Sequence, residues 1–130
     1  IKKDKIKTMY KYEIQKTKHI GALSEINDQY EREEILFFLK KEYKNAKHIC
    51  YAYKIQCKNG IKIKAFDDKE PKGTASTPLL NAIKIYKKSN VVLFIIRYFG
   101  GKKLGIGGLY RSYSKTAIET IKQFLDHEIV

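Results

Sequence analysis

The sequence has few of the features that mark membrane, multidomain or disulfide-rich proteins. Its longest apolar run, 91–96 (VVLFII), has six residues and is far too short to cross a bilayer. The first fifteen residues are charged and lack the apolar region of a signal peptide. With two prolines, no repeats and no low-complexity linker, the 130 residues are expected to form one domain, 1–130, with no membrane partner.

Cysteine is also scarce. Cys50 and Cys57 are the only two, and their separation of seven residues places them on opposite faces of a shared strand. We therefore expect that they do not pair with each other. Two scattered thiols fit a reducing compartment, so a cytoplasmic location is expected.

Acidic residues number 14 against 27 basic ones, which gives a formal net charge of +13. An excess of this size indicates a polyanionic partner such as RNA or the ribosome. Only Arg32, Arg97 and Arg111 are arginines, however, and a lysine-rich composition also follows from an AT-rich genome. Charge alone leaves both interpretations open.

Five strands are predicted from alternation and from one apolar run. They lie at 6–15, 17–23, 48–57, 61–66 and 91–96. Asn59-Gly60 is a strong hairpin signal between the third and fourth strands. Because the fifth strand is apolar at every position, it is expected at the centre of the sheet, covered on both faces.

Three helices are predicted among these strands. An Asn-Asp pair at 27–28 can cap the first helix, and Thr77 as N-cap with Pro78 at the first helical position begins the second. The third runs from about Gly108 to Leu125. The order β-β-α-β-β-α-β-α indicates an α+β or α/β two-layer fold, a mixed β-sheet with helices packed on it.

The segment 97–111 (RYFGGKKLGIGGLYR) lies between the apolar strand and the last helix and contains five of the eight glycines. Backbone amides at a helix N-terminus form a natural anion site, and glycine permits the close approach that such a nest needs. The glycines are Gly100, Gly101, Gly105, Gly107 and Gly108. The phosphate contacts expected around them are Arg97, Lys102, Lys103 and Arg111, with Tyr98 and Phe99 stacking on unpaired bases. The alternative is that the glycines only let a tight loop fold back over the sheet.

The spacing within this segment excludes two nucleotide-binding loops. A Walker A loop needs lysine and Ser/Thr after its second glycine, but Gly105 is followed by Ile106 and Gly107. A dinucleotide fingerprint would need a small residue where Tyr110 stands. We therefore expect neither nucleotide hydrolysis nor dinucleotide binding.

A second cluster places three carboxylates, Asp67, Asp68 and Glu70, within four residues. They could hold Mg²⁺, but the spacing matches no EF-hand, and neighbouring lysines would compete for the carboxylates. An Asx-type turn, in which Asp67 or Asp68 accepts loop amides, is favoured over a metal. A further alternative is a salt bridge from this loop to Arg97 or Arg111.

Catalysis is poorly supported. His48 and Cys50 share a strand face, but two ligands do not make a zinc site. Ser112 and Ser114 have no evident base. We expect no metal, no cofactor and no enzymatic activity.

The acidic and glycine-rich segments together resemble the signature of the IMPACT family, which includes the bacterial YigZ-type proteins. The matching positions are Asp67, Asp68, Glu70, Pro71, Gly73, Thr74, Ala75 and Pro78, and then Arg97, Tyr98, Phe99, Gly100, Gly101, Leu104, Gly105, Gly107, Gly108, Leu109, Arg111 and Tyr113. Residues 46–53 (AKHICYAY) also resemble a family strand. Lys69 replaces a family glycine, which argues against a strained turn there.

The resemblance implies a ribosomal protein S5 domain 2-like fold, shared with the fourth domain of elongation factor G, and a role near translation. Bacterial members commonly carry a second, ferredoxin-like domain, for which this chain has no room, so a single Impact N-terminal-like domain is expected. The leading hypothesis is a non-enzymatic RNA- or ribosome-binding domain that modulates translation. The alternatives are a protein-interaction module of a translation or stress regulator and a metal-dependent enzyme acting on a phosphorylated small molecule.

Overall fold

The computed structural model describes residues 5–129, with side chains over 5–126; the remaining ends of the predicted domain lie outside the described residues. The described elements follow the predicted order. They are β1 (Ile6–Ile14), β2 (Thr17–Glu25), α1 (Gln29–Glu42), β3 (His48–Cys57), β4 (Gly60–Phe66), α2 (Ser76–Ile85), β5 (Val91–Tyr98) and α3 (Gly105–Ile129). The α+β class, with helices packed on a β-sheet, is confirmed.

The five strands form one sheet in the order β1-β2-β5-β3-β4. Every neighbouring pair is antiparallel, so the prediction of a mixed sheet is wrong. The reason is topological. Two hairpins place β1 beside β2 and β3 beside β4, and β5 enters between the hairpins in the direction opposite to both neighbours.

Two tight turns set the register of the hairpins. Gln15 and Lys16 have φ of 49° and 65°, the combination of a type I′ turn that matches strand twist. In the second hairpin Cys57 pairs with Gly60, so the predicted hairpin is confirmed, but its two turn residues are Lys58 and Asn59, one position before the Asn59-Gly60 pair. Cys50 is buried and Cys57 is exposed, and neither forms a disulfide, as expected.

The sheet carries a hydrophobic core on each face. Val91, Leu93 and Ile95 of β5 belong to the core built with α2 and α3. The alternate residues of β5 join Ile35 and Leu39 of α1 in a second core. The predicted central position of β5 is confirmed, but helices cover both faces, so the arrangement has three layers and not two. An all-apolar central strand requires this because each of its faces must be shielded from water.

The helix starts agree with the sequence only in part. Asp28 caps α1 and accepts a hydrogen bond from the Glu31 amide at 3.0 Å. The third helix begins at Gly105, three residues before the predicted start, so three of the loop glycines lie in its first turn. Within residues 5–129, no helix combines the length and the apolar character needed to cross a membrane.

Candidate functional site

The acidic and glycine-rich segments meet at one cleft of about 410 Å³. The segment 67–75 connects β4 to α2, and the segment 99–104 connects β5 to α3, so both run along the same end of the sheet. The cleft is lined by Lys47, Glu70, Pro71, Arg97, Phe99, Lys103, Leu104, Gly105, Ile106 and Leu109. The acidic and glycine-rich segments, which carry most of the family resemblance, therefore form one structural unit.

A buried ion pair forms the floor of this cleft. The Nε and Nη2 atoms of Arg97 lie 2.6 Å and 3.2 Å from the two carboxylate oxygens of Glu70. Both residues are buried, at 7% and 6% exposure. The predicted salt bridge from the acidic loop to Arg97 is thus confirmed. Phosphate binding by Arg97 stays a prediction, and Glu70 already takes the Nε and Nη2 edge of its guanidinium.

Glu70 has two further partners. The Tyr113 hydroxyl donates to Oε2 at 2.5 Å, and Nε2 of His48 lies 3.4 Å from Oε1. The Cys50 thiol donates to the Tyr113 hydroxyl at 3.4 Å. Burial raises the pKa of Tyr113 and of Cys50, so both stay neutral at physiological pH and Cys50 is not a reactive thiolate. The network ties β3, β5, α3 and the acidic loop together.

Asp67 organises the acidic loop as a remote cap for α2. Its carboxylate accepts from the amides of Gly73 at 3.0 Å, Ala75 at 3.2 Å and Ser76 at 2.6 Å, and from the Ser76 hydroxyl at 2.9 Å. Burial on its own would raise the pKa of Asp67, but these hydrogen bonds outweigh it and lower the pKa. Asp67 thus accepts loop amides as expected, but these amides lie six to nine residues ahead, so the arrangement is not an Asx turn.

This remote cap explains why the predicted start of α2 is wrong. The N-cap residue is Ala75, which has no capping side chain, and Thr77 and Pro78 lie inside the first turn. The Asp67 carboxylate supplies the acceptor that an N-cap Thr would otherwise provide. A cap that acts across eight residues leaves no local signal in the sequence.

The carboxylates of the loop accept hydrogen bonds from neighbouring groups of the protein. Asp68 accepts from the Ile49 amide at 2.7 Å, and the Thr74 hydroxyl donates to the Pro71 carbonyl at 2.6 Å. Among the described side chains, no three His, Cys, Asp or Glu residues are grouped so that they could hold a metal ion. The loop is a rigid support for the cleft.

Asp68 and Lys69 have left-handed backbones, with φ of 47° and 69°. The amide of Glu70 donates to the Asp67 carbonyl at 3.0 Å, which closes a tight turn with positive φ at both central residues. The expectation that Lys69 argues against a strained turn is therefore wrong. The anchored residues on either side, Asp67 and Glu70, impose the turn on a residue that disfavours it.

The glycines of the second segment have different roles. A Cβ on Gly100 would lie 2.2 Å from the backbone carbon of Lys16 and 2.6 Å from the amide of Thr17, so this glycine lets the loop contact the β1–β2 turn. Gly101 and Gly105 adopt φ of +90° and +76°, where a side chain would be strained. For these three, the interpretation that glycine lets the loop fold back is supported. Anion binding by the Gly105–Gly108 backbone stays a prediction.

The remaining predicted contacts lie on the surface around the first turns of α3. Lys102, Lys103 and Arg111 are exposed. Phe99 and Ile106 beside them are 49% and 69% exposed. These side chains therefore form a basic surface with apolar groups set into it, which we call the α3 surface.

A second groove, of about 820 Å³, lies across the end of β5. Its lining includes Lys11, Lys16, Lys18, Tyr43, Tyr98 and Phe99. Sequence reasoning had proposed the last two for stacking but missed the other four. These lysines and Tyr43 come from separate elements, and only the strand order brings them to one place.

His19 lines the base of this groove and is buried. Its ring is 0% exposed and meets the Tyr113 ring edge-on, with centroids 5.5 Å apart. Burial, reinforced by the charge of Arg97, lowers the pKa of His19 to about 4. The histidine is therefore neutral at physiological pH, and nothing about its isolated sequence position indicated this.

Comparison with known proteins identifies relatives over most of the chain. The family model of the Impact N-terminal domain matches residues 15–121. The chain is 42% identical over 106 residues to the IMPACT family member YvyE of Bacillus subtilis, covering 82% of this chain and 48% of that protein. It is 28% identical over 112 residues to the IMPACT family member YigZ of Escherichia coli, covering 85% and 55%. The chain thus spans about half the length of the curated relatives it matches.

Two solved structures have similar folds. A crystal structure described only as a hypothetical protein superimposes with a TM-score of 0.84 at 26% identity, covering 89% of this chain and 57% of that chain. The two-domain translational regulator Yih1 gives a TM-score of 0.53 at 18% identity, covering 92% and 46%. The second likeness concerns the fold alone.

Proposed function

The chain belongs to the IMPACT family through its Impact N-terminal domain, and from this premise we propose that it is a non-enzymatic, cytoplasmic RNA- or ribosome-binding domain that modulates translation. A solved relative in fold, Yih1, is described as a translational regulator, which supports the direction of the proposal. The proposal concerns only the part of the family members' length that this chain spans, which is about half.

The observation that carries the proposal is the α3 surface. Lys102, Lys103 and Arg111 are exposed there beside the exposed ring of Phe99. Cations bind phosphate oxygens with release of counterions, and an exposed ring can stack on an unpaired base. The formal charge of +13 extends the attraction over the whole molecule.

The buried pair has a supporting role in this proposal. Arg97 and Glu70 hold the β5 end and the acidic loop in fixed positions beneath the surface residues. The first-turn amides of α3, at Gly105–Gly108, add a partial positive charge at the same place. Phosphate would meet Lys102, Lys103 and Arg111, with the helix end behind them.

A titration of a fluorescent single-stranded RNA tests the proposal. Binding should weaken with salt between about 50 and about 300 mM, with a log–log slope of about −0.7 for each phosphate contacted. Lys102→Gln/Lys103→Gln should weaken binding and flatten the slope. Lys62→Gln/Lys64→Gln on β4, at the opposite side of the sheet, is the matched control and should behave as wild type. Absence of binding at low salt, or a flat slope, would overturn the proposal.

A second candidate function is a protein-interaction module. The specific observation is that Phe99, Leu104 and Ile106 give the cleft apolar walls, which suit an apolar side chain of a partner. In that case a protein would co-purify with the chain through nuclease treatment and high salt. Ile106→Ala would then release the partner, because it shortens the apolar wall without adding a charge that repels RNA.

A further inference from the structure

We propose that the groove across the end of β5 binds unpaired nucleotides of single-stranded RNA, with Tyr98 and Tyr43 as stacking residues. The inference rests on the proposed RNA-binding function and adds two stacking residues to Phe99, the ring that the α3 surface already provides. The groove lies on the α1 side of the sheet, since Tyr98 and Tyr43 both pack against the core of that side. Phe99 lines both the groove and the cleft, so the two surfaces are continuous.

The aromatic part of the groove comes from three elements. Tyr43 is the C-cap of α1, Tyr98 ends β5, and Phe99 follows it with 49% exposure. Tyr43 and Tyr98 are half-buried, so packing fixes each ring while part of it reaches the groove. Fixed rings lose little conformational entropy when a base stacks on them, which is the property that stacking platforms share.

The basic part of the groove comes from the β1–β2 hairpin. Lys18 is the register partner of Tyr98 on the strand that pairs with β5, and Lys11 is the partner of Ile20 on the next strand outward. Lys16 sits at the turn and is exposed. Among the described residues that line the groove, Glu13 is the one acidic side chain, opposite Lys18 in the register. Three lysines against one glutamate leave the groove positive.

This combination fits single-stranded RNA better than a duplex or an acidic peptide. Lysines hold a phosphate backbone, while rings such as Tyr98 need exposed base faces, which a duplex hides in its stack. An acidic peptide would gain the lysine contacts and leave Tyr43 and Tyr98 without a role. The partner is therefore a single-stranded RNA whose unpaired bases stack on the tyrosine rings while its phosphates contact Lys11 and Lys18.

Direct binding with a fluorescent oligouridine of about a dozen nucleotides tests the inference. Tyr98→Leu keeps the apolar bulk and removes the aromatic ring, and it should weaken binding by about fivefold or more. Lys18→Gln should reduce the salt slope by about 0.7, the contribution of one phosphate contact. Lys64→Gln removes the same charge on β4 at the opposite side of the sheet and should leave affinity and slope unchanged. A duplex of the same length should bind more weakly.

The outcomes separate this inference from the proposed function. If Tyr98→Leu and Lys18→Gln both bind RNA with wild-type affinity while Lys102→Gln/Lys103→Gln binds more weakly, the groove is not the binding site for the bases. RNA binding by the chain would then still stand. Absence of RNA binding by the wild type would overturn both. Polyglutamate is added as a competitor to test the acidic-peptide alternative. If polyglutamate displaces the oligonucleotide, and if it binds Tyr98→Leu as well as wild type, the groove is a site for acidic polypeptides and the inference is overturned. Circular dichroism checks the folding of Tyr98→Leu, and exposed Lys18 keeps the test available if that variant unfolds.

Discussion

Glu70 and Arg97 form a buried bidentate ion pair that joins the acidic loop to the end of the central strand. The two oxygens and two nitrogens meet at 2.6 Å and 3.2 Å. Tyr113 from α3 donates to the same carboxylate. The pair therefore connects the two segments that carry the family signature, and the cleft and the α3 surface are built around it.

Glu70→Ala should lower the free energy of unfolding by about 3 to 5 kcal/mol because it leaves a buried guanidinium without its counter-charge. Urea unfolding followed by circular dichroism measures this. The control is Glu25→Ala, which removes a carboxylate that is 64% exposed and lies 3.9 Å from Lys7. Exposed pairs of this kind contribute about 1 kcal/mol or less. Equal losses in the two variants would contradict the role given to Glu70.

Gly100→Ala should destabilise the fold by about 3 kcal/mol, the upper end of the range for overpacking. Its Cβ would lie 2.2 Å from the backbone of Lys16, and backbone cannot move aside cheaply. Gly107→Ala provides the contrast, since its Cβ would approach only the flexible end of Arg111, at 3.1 Å. Alanine is the better helix former, so this variant should be neutral or more stable by up to about 1 kcal/mol. Similar effects at both positions would refute the distinct roles of the two glycines.

Lys69→Gly should raise the free energy of unfolding by about 0.5 to 1 kcal/mol. Relief of the left-handed strain at φ 69° is worth about 1 to 2 kcal/mol, and the added freedom of glycine in the unfolded chain offsets part of it. Lys69→Ala retains the Cβ and should bring no gain. Thermal unfolding of the two variants measures the difference, and Lys69→Gly should have the higher midpoint. Identical midpoints would contradict the strained turn.

Stability should fall as pH drops from about 6.5 towards 4, by about 3 kcal/mol in total from His19 alone. The pKa of His19 is lowered to about 4 in the folded chain, so the unfolded chain binds the proton more readily in this window. The contribution of neutral His19 to the free energy of unfolding is complete above about pH 6.5, the pKa of His19 in the unfolded chain, and it is lost as the pH falls towards 4. His19→Gln should remove this part of the pH dependence in urea unfolding between about pH 7 and 5. An unchanged slope would show that His19 is not the titrating group.

The sequence predicted the elements because their signals are local. The strand signal in 48–57 and the cap at Asp28 each act within one element, and both agree with the structure. The all-apolar run in β5 likewise predicted a strand covered on both faces.

The site could not be predicted to the same depth because its contacts join distant parts of the chain. The Arg97 side chain looks like a free cation until the fold brings Glu70 beside it, 27 positions away. Asp67 caps a helix from outside it, so the start of α2 carried no cap of its own. The groove lysines lie on the β1–β2 hairpin, and no spacing rule reveals that this hairpin pairs with β5 through β2.

Sedimentation of the chain with purified ribosomes across a salt series tests the central claim most directly. We expect association at about 50 mM salt that declines steeply, with Lys102→Gln/Lys103→Gln dissociating at lower salt than wild type and Lys62→Gln/Lys64→Gln matching it. Failure to sediment with ribosomes at low salt, or an association unaffected by salt and by the Lys102 and Lys103 substitutions, would contradict an electrostatic RNA- or ribosome-binding role.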